Sequence, residues 1–466
     1  MIGRGIREHI PSVLVAALGS AFGVSVLQFF AVLTQVIMGD DVTGSSGTVV
    51  LLLALVAFVF IAIAIYVSAV VTANTFATII AGRTRTIALL RLIGSSAVAQ
   101  RRSVAREGLA VGVVGALLGA VLGSLVTSVS VGIGMATGAI PDVGFQFYNA
   151  SLFLPVIAVV LTTWLASWIG SREVLSVSPM QAIGAATESS QAESTSSRSR
   201  TATAIALFAI GIVILIAAIL LGLITPAAVL IGIVGGLLSF TGLVLGAHLV
   251  MPPALQLVGR LLGRGAPARL AAENALRYPE RSSRMTIGLV IGVTLVTMFA
   301  VALQSYQNML YAAMGANPEY YEGVDSALVV TVVIFSVLVG FSALIAAVGM
   351  VNNLSLSVVQ RTRELGLLRA LGFTAGQIRA MIVAESAQYT LASVLVGLVL
   401  GTFYGWAGAQ SLLGSINSGA GIMVPGIPIP FVLGVVVLAA LLTITASLSP
   451  SRRATRIAPV AALAVE

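Results

Sequence analysis

The stretch RTRELGLLRALGFTAGQIRAMIVAES, residues 361–386, decides how the rest of the chain is interpreted. It carries four arginines and two glutamates, although charged residues make up only 9% of the chain. Long apolar runs lie on both sides of it. A weaker copy of the same pattern, RTRTIALLRLIGSSAVAQRRSVAREG, occupies residues 83–108. A charged segment that recurs between apolar runs indicates an internal repeat in a membrane protein.

The two copies match at a constant offset of 278 residues. The identical pairs include Arg83/Arg361, Thr84/Thr362, Arg85/Arg363, Leu89/Leu367, Leu90/Leu368, Arg91/Arg369, Gly94/Gly372, Arg101/Arg379 and Glu107/Glu385. The match continues into the next apolar run, where Gly119 and Gly123 correspond to Gly397 and Gly401. It resumes, shifted by two residues, at SREVLSVSPMQAI (171–183) and SRRATRIAPVAAL (451–463). Such parallel repeats predict two units related by a pseudo-two-fold axis along the membrane normal.

Composition limits the classes of function. The chain is 58% hydrophobic with a mean hydropathy of +1.08, so the bilayer is its main solvent. It has no cysteine, and its two histidines, His9 and His248, are far apart, which argues against metal sites and thiol or histidine catalysis. All 24 basic residues are arginine, so the lysine of a Walker A loop is absent. The sequence predicts no catalytic residue, no metal site and no bound cofactor in this chain.

Ten segments are long and apolar enough to cross a bilayer. They lie at about 12–37, 49–80, 106–134, 152–170, 202–224, 226–250, 286–312, 327–358, 378–406 and 430–449. The N-terminus runs directly into the first of them, so no cleavable signal peptide is predicted. The predicted fold is all-α and polytopic, with ten transmembrane helices arranged 4+2+4. The predicted units are 1–183, 184–268 and 269–466, and the middle one contains a Ser/Thr-rich linker and two connecting spans.

The distribution of charge predicts the topology. All 24 arginines fall in alternate connections between spans. In the opposite connections, the only charged residues are acidic. Those acids are Asp40, Asp41, Asp142, Glu319, Glu322 and Asp325. Because arginine is retained on the cytoplasmic side, both termini are predicted to be cytoplasmic. The bias towards Arg, Ala, Gly and Val is typical of a GC-rich bacterial genome, which places the chain in a bacterial inner membrane.

Within the repeated stretch, apolar residues recur at a spacing of three. They are Leu365, Leu368 and Leu371 in the second copy and Ile87, Leu90 and Ile93 in the first. The pattern predicts a short amphipathic helix that is closed by Gly372 or Gly94. Thr374, and Ser95 or Ser96, are suited to cap the helix that follows. Two interpretations stay open: a docking surface for a cytoplasmic partner, or arginines that only fix topology and contact lipid headgroups.

These motifs resemble the FtsX-like permease family, the membrane subunits of MacB/LolCDE-type ABC transporters with the type VII architecture. The matching residues are Arg363, Glu364, Arg369, Gly372, Glu385, Pro459, Ala462 and Leu463. The segment RLAAENALRYPERSSRMTIG (269–288) is similar to the family's entry into the first span of a unit, with Asn274, Arg277 and Arg281 in place. The resemblance covers both four-span units and leaves out the fifth and sixth spans.

The resemblance implies that residues 83–94 and 361–372 are coupling helices. They would dock on two copies of a separate cytoplasmic ATPase, which binds ATP and Mg. The coupling candidates are Arg83, Arg85, Ile87, Leu90, Arg91, Gly94, Arg361, Arg363, Glu364, Leu365, Leu368, Arg369 and Gly372.

The sequence departs from the family in two respects. Thr86 replaces the glutamate found at Glu364, so the two ATPase contacts are predicted to differ. The first two spans are joined by only a short connection, 38–48, so the resemblance gives no basis for a periplasmic adaptor or for lipoprotein capture by a large domain there. An accessory lipoprotein or membrane partner stays open.

Three further features have alternative interpretations. Gly119, Gly123, Gly397 and Gly401 belong to small-residue stripes that either pack helices within a unit or form a sliding contact between units. Glu107 and Glu385 are functional candidates, or interfacial carboxylates paired with nearby arginines. The six acids either attract cationic substrates or only reflect topology.

The predicted function is export or extraction of an amphiphilic or hydrophobic substrate, driven by ATP hydrolysis in the partner. Lipids, drugs and peptides are not distinguished, and nucleic acid is not expected. One alternative is a secondary transporter, which would require acids at the bilayer midplane. Another is a mechanotransmitter that signals to an envelope enzyme, which the short outer connections disfavour.

Overall fold

The computed structural model describes residues 2–38, 47–82, 89–90, 93–138, 152–171, 198–261, 270–273, 276, 279–316, 331–332, 336–337, 339–344, 367–368, 371–415 and 421–441. Within these ranges all regular secondary structure is helical. The helices are α1 (Ile2–Met38), α2 (Gly47–Gly82), α3 (Ala97–Ala136), α4 (Phe153–Gly170), α5 (Arg198–Gly222), α6 (Ala228–Leu245), α7 (Ala247–Leu261), α8 (Pro279–Ala316), α9 (Ala375–Leu413) and α10 (Ile429–Leu441).

Among the described residues, six helices are long and apolar enough to cross a membrane: α1, α3, α5, α6, α8 and α9. Shorter apolar stretches of described residues, 10–17 residues long, lie within α2, α4 and α10, at the predicted second, fourth and tenth spans. Most of the predicted eighth span, 327–358, lies outside the described residues. The chain is therefore a multi-pass membrane protein, and the 4+2+4 arrangement of ten helices stays a prediction.

The contacts between helices fix their relative directions. Ser20 and Ser25 of α1 donate hydrogen bonds to the carbonyl oxygens of Ala116 and Gly123 of α3, so α1 and α3 run parallel. The same order of contacts joins α8 and α9, whereas α5 and α6 form an antiparallel hairpin through the turn at 223–227. As a result, every arginine side chain that the structure describes lies at one end of the bundle. They are Arg101, Arg102, Arg106, Arg198, Arg200, Arg260 and Arg379. We call this the arginine-bearing end.

The two predicted units share the same internal packing. In the first, the α3 glycines pack against α1: a Cβ added at Gly123 would lie 2.6 Å from the carbonyl oxygen of Ala21. In the second, the α9 glycines pack against α8: a Cβ added at Gly397 would lie 2.7 Å from Cβ of Val293. Gly119 and Gly401 make equally close contacts with the same two helices. The structure thus places all four predicted packing glycines in contacts within a unit, where small residues let helix backbones approach.

Four phenylalanines lie at the contact between the two units. Phe22 of α1 and Phe299 of α8 lie 5.9 Å apart, measured between ring centroids. Phe60 of α2 stacks on Phe299 at 5.2 Å, and Phe341 meets Phe22 edge-on at 6.4 Å. Each unit thus contributes one ring from its first span and one from its second predicted span. We call these four buried residues the aromatic seam.

The connecting helices are not shared equally between the units. All three, α5, α6 and α7, pack on α9 of the second unit, and α7 also packs on α8. Toward the first unit, α6 packs on α2, where the hydroxyl groups of Tyr66 and Thr241 lie 2.7 Å apart. The connecting helices therefore belong mainly with the second unit.

Candidate functional site

The repeated stretch contains the same backbone turn in both copies. Gly94 and Gly372 have φ angles of 102° and 98°, in the left-handed region that favours glycine. The amide of Ser95 donates to the carbonyl of Leu90 at 3.0 Å, and the amide of Phe373 donates to that of Leu368 at 3.0 Å. These are the long-range bonds of a Schellman motif, which ends a helix. The predicted closure by glycine is confirmed at both positions.

The next helix begins two residues after each glycine. Ser96 caps α3 by accepting a hydrogen bond from the amide of Ala99, and Thr374 caps α9 by accepting one from the amide of Gln377. In the second copy the Gln377 side chain also accepts a hydrogen bond from the amide of Thr374, which completes a capping box. The turn is therefore rigidly connected to the membrane helix that follows it.

Each turn exposes large aliphatic side chains at the arginine-bearing end. Ile93 is 81% exposed and Leu371, its counterpart in the repeat, is 71% exposed. Leu89 and Leu367, also counterparts, are about half exposed. We call Leu89 with Ile93, and Leu367 with Leu371, the exposed apolar pairs. Their equivalence shows that the duplication extends to surface side chains.

Leu368 behaves differently from Leu371. It is partly buried and packs on a small apolar cluster formed by Ala271, Ile378, Met381 and Ile382. The apolar face predicted at Leu365, Leu368 and Leu371 is therefore divided, because Leu368 contacts the chain itself while Leu371 is exposed. A substitution at Leu368 would disturb this cluster as well as any docking surface.

All seven charged coupling candidates lie outside the described residues. They are Arg83, Arg85, Arg91, Arg361, Arg363, Glu364 and Arg369, together with the apolar Ile87 and Leu365. The family-pattern residues Asn274, Arg277, Pro459, Ala462 and Leu463 also lie outside the described residues. The site can therefore be built only around its glycine turns and caps.

Different interactions hold the first turn of α3 and that of α9. The guanidinium of Arg101 stacks 4.0 Å from the ring centroid of Trp168 at the end of α4. Its Nε donates to the Ser171 hydroxyl at 3.3 Å. The counterpart, Arg379, is exposed, and α9 is instead held by the apolar cluster around Ile378. Position 100, the counterpart of Ile378, is a glutamine, so the first unit lacks that apolar contact.

The two candidate carboxylates have different surroundings. Glu385 is 5% exposed and accepts a hydrogen bond from the hydroxyl of Tyr389 at 2.8 Å. Beside it, the Gln388 side chain donates to the carbonyl oxygen of Leu255 in α7 at 2.8 Å. Glu107 is only half buried. The sequence analysis did not predict the contact of Gln388 with α7. One signal was present: Gln388 is a polar residue within a predicted span, and its counterpart in the first copy is the apolar Ala110.

An apolar groove opens on the surface between α2 and α6. Its volume is about 350 Å³, and Leu51, Ala54, Leu55, Phe58 and Leu230 line it. It lies toward the starts of α2 and α6, away from the arginine-bearing end. Among the described residues no group of three or more His, Cys, Asp and Glu side chains could hold a metal ion.

Comparison with known proteins agrees with the internal repeat. The family model for the C-terminal part of FtsX-like permeases matches twice, at residues 58–179 and 336–459, and so covers more than half of the chain. The two matches begin 278 residues apart, the offset of the repeated stretch.

Several relatives are ABC transporter permeases. The chain is 30% identical over 148 residues to the uncharacterised ABC transporter permease YknZ of Bacillus subtilis, covering 32% of this chain and 35% of the relative. It is 40% identical over 79 residues to an uncharacterised ABC transporter permease of Methanocaldococcus jannaschii, 17% and 18% of the two chains. It is 36% identical over 72 residues to the macrolide export ATP-binding/permease protein MacB of Chlorobaculum tepidum, 14% and 11%. The chain thus spans about a third or less of the curated relatives that it matches.

The fold and the duplicated turn define a multi-pass helical membrane protein that is built from two copies of one unit. The double match then assigns it: the chain belongs to the FtsX-like permease family.

Proposed function

We propose that this chain is the membrane subunit of an ABC transporter, with both half-permeases fused in one polypeptide. The observation that carries the proposal is the duplicated turn with its exposed apolar pairs. One chain presents two corresponding surfaces at the arginine-bearing end, so it fits two copies of a cytoplasmic ATPase. ATP and Mg would be bound by that partner. Both termini then lie in the cytoplasm of a bacterial cell.

The packing of each unit supports a mechanical role. The turn is joined through a capped helix start to α3 or α9, and these helices are held by close glycine contacts to α1 or α8. A push on either turn therefore moves two membrane helices together. Because α1 and α8 meet at the aromatic seam, ATP-driven approach of the two ATPases changes the packing between Phe22 and Phe299. Mechanical transmission through the seam is the proposed coupling step.

An apolar groove between two membrane helices supports the proposed class of substrate. The groove between α2 and α6 is lined only by apolar side chains and is open at the surface. An apolar opening of this kind favours binding of an amphiphile from the bilayer over passage of a polar solute through a channel. The similarity to MacB, which is named for macrolide export, agrees with an apolar substrate. We propose export or extraction of a lipid, hydrophobic drug or hydrophobic peptide.

Purification of the tagged chain from its native host tests the proposal. We expect native mass spectrometry to show one permease with two ATPase subunits, and the complex to hydrolyse ATP. Leu371→Asp and Ile93→Asp should each remove about half or more of the bound ATPase, because burying one such side chain is worth about 1.5–3 kcal/mol. Ile224→Asp is the matched control, since Ile224 is equally exposed but lies in the turn between α5 and α6 at the other end. Undiminished ATPase binding in both turn variants would overturn the proposal.

The two docking surfaces are proposed to be unequal. Glu364 can form a charge-assisted hydrogen bond with a basic residue of the ATPase, and Thr86 cannot. Such a bond is worth about 1.5–3 kcal/mol. Glu364→Ala should therefore weaken ATPase binding far more than Thr86→Ala does. Equal losses from the two substitutions would show that the difference between the copies has no effect on docking.

A further inference from the structure

The segment GIMVPGIP, residues 421–428, lies at the end of α9 away from Arg379, and we call it the apolar loop. Side chains of the bundle hold its backbone. Trp406 Nε1 donates to the carbonyl of Met423 at 2.6 Å, and the amide of Met423 donates to Gln410 Oε1 at 3.3 Å. The amide of Gly426 donates to the Ser305 hydroxyl of α8 at 3.1 Å. Three polar groups of the loop backbone are therefore bonded to side chains of the protein.

The side chains of the apolar loop are turned outward. Val424 is 84% exposed, and Ile422 and Ile427 are about half exposed. The loop continues directly into α10, where every fourth residue is a large, exposed aliphatic. These residues are Ile429, Leu433, Val437 and Leu441. The exposed surface of the loop is thus continuous with the face that α10 presents to lipid.

Charge separates this loop from the acidic connections on the same side. From residue 407 to residue 428 the sequence has no charged residue, whereas three of the other four connections predicted on that side carry the six acids. A loop with outward aliphatic side chains, inward backbone polar groups and no charge is the reverse of a loop that faces water. Backbone groups that are satisfied by the protein are what a lipid-contacting segment requires.

The position of the loop along α9 agrees with the bilayer surface. Met423 is level with Trp406 and Gln410, one to two turns before α9 ends at Leu413. From Arg379 to Trp406 the helix rises about 40 Å, at 1.5 Å per residue. This rise matches the roughly 40–45 Å between opposite headgroup layers. Tryptophan is also enriched at the boundary between membrane and water.

We propose that the apolar loop lies in the interfacial layer of the leaflet opposite the arginine-bearing end, where Ile422, Val424 and Ile427 contact lipid acyl chains. This inference concerns the bilayer alone and does not depend on an ATPase or on transport.

Because the chain has no cysteine, one introduced cysteine can be labelled without background. Val424→Cys would carry an environment-sensitive NBD fluorophore on the full-length protein in lipid nanodiscs. Val437→Cys, on the exposed stripe of α10, is the lipid-facing control, and the exposed Arg102→Cys at the other end is the aqueous control. Ile422→Cys provides a second loop position.

We expect NBD at residue 424 to emit at a shorter wavelength than NBD at residue 102. It should be quenched by lipid with a doxyl group near the headgroup more strongly than by aqueous iodide. NBD at residue 437, two turns into α10, should instead be quenched best by a doxyl group deeper in the chain. If residues 422 and 424 both give emission and iodide quenching like residue 102, the loop faces water and the proposal is wrong.

Discussion

The helices α3 and α9 follow equivalent glycine turns but pack against different neighbours. Their exposed faces differ as a result. One stripe is exposed in both helices. It consists of the pairs Val113/Leu391, Leu117/Leu395 and Val121/Val399. A second stripe is exposed only in α3: Val114, Leu118 and Leu122 there correspond to Ala392, Val396 and Leu400, which are buried or packed on the core in α9.

The connecting helices explain this difference. All of them pack on α9, whereas α3 packs on α1 and α4 of its own unit. At one pair of equivalent positions, α9 has the small Ala392, which is fully buried. The corresponding residue of α3, which has no connecting helix packed on it, is the larger Val114, and it is half exposed. The backbone of the repeat was thus retained while the side chains adapted to a protein neighbour in one copy and to lipid in the other.

The largest expected effect tests the part in which the two units agree. Gly123→Ala and Gly401→Ala each place a methyl group against backbone or Cβ atoms at 2.5–2.6 Å, so both should be destabilised by about 1–3 kcal/mol. The matched controls are Gly132→Ala on α3 and Gly408→Ala on α9, where an added Cβ meets no atom within 4 Å. The controls should be neutral or slightly stabilising, because alanine favours a helix over glycine.

Thermal unfolding of the detergent-solubilised variants measures these effects. If Gly123→Ala is destabilised and Gly401→Ala is not, the close packing belongs to the first unit only, and the shared architecture of the two units fails.

This shared architecture was largely accessible from sequence. The offset of 278 residues, the glycine turns and the Ser/Thr caps follow from local residue types, which determine backbone geometry directly. The inward packing of Leu368 could not be predicted, because it depends on Ala271, which is distant in sequence. The aromatic seam likewise depends on contacts between residues that are distant in sequence. No local sequence pattern distinguishes its members, Phe22, Phe60, Phe299 and Phe341. Tertiary contacts of this kind are not encoded in the periodicity of a single helix.

The second expected effect tests where the units differ. Gln388→Met keeps a long side chain but removes the donor to the Leu255 carbonyl, so it should destabilise the protein by about 1–3 kcal/mol. The matched substitution in the first unit, Ala110→Met, falls on an exposed position of α3 and should have little effect. Thermal unfolding again gives the comparison. A Gln388→Met variant as stable as the parent would show that apolar packing alone attaches α7 to α9.

A smaller effect is expected at the arginines that begin these helices. Arg101→Lys should lose the stacking on Trp168, at a cost of about 0.5–1 kcal/mol, because lysine has no planar group to stack on the ring. Arg379→Lys replaces an exposed guanidinium and should cost less. Denaturation of the two variants in parallel distinguishes them. Equal stability would mean that the Arg101 contact contributes nothing to the base of α3.

The smallest effect on global stability concerns the caps, where the second copy has hydrogen bonds that the first copy lacks. Ser96→Ala removes one bond, the one from the amide of Ala99, and should cost about 1 kcal/mol locally. Thr374 is part of a reciprocal pair, because its amide also donates to the Gln377 side chain. Since that second bond survives the loss of the hydroxyl, Thr374→Ala should loosen the start of α9 less than the double variant with Gln377→Ala does.

Hydrogen exchange at the amides of Ala99 and Gln377 measures these local changes. Both residues lie in exposed first turns, and fraying of a first turn does not change the global unfolding transition. The first unit has an alanine at position 99 and cannot form the reciprocal bond. Ala99→Gln should therefore slow exchange at the start of α3 if the turns are equivalent in backbone geometry. Exchange that is unchanged in Ala99→Gln would show that the two turns differ in side-chain geometry despite their matching φ angles. The two surfaces that we propose to dock the ATPase would then differ in shape as well as in charge.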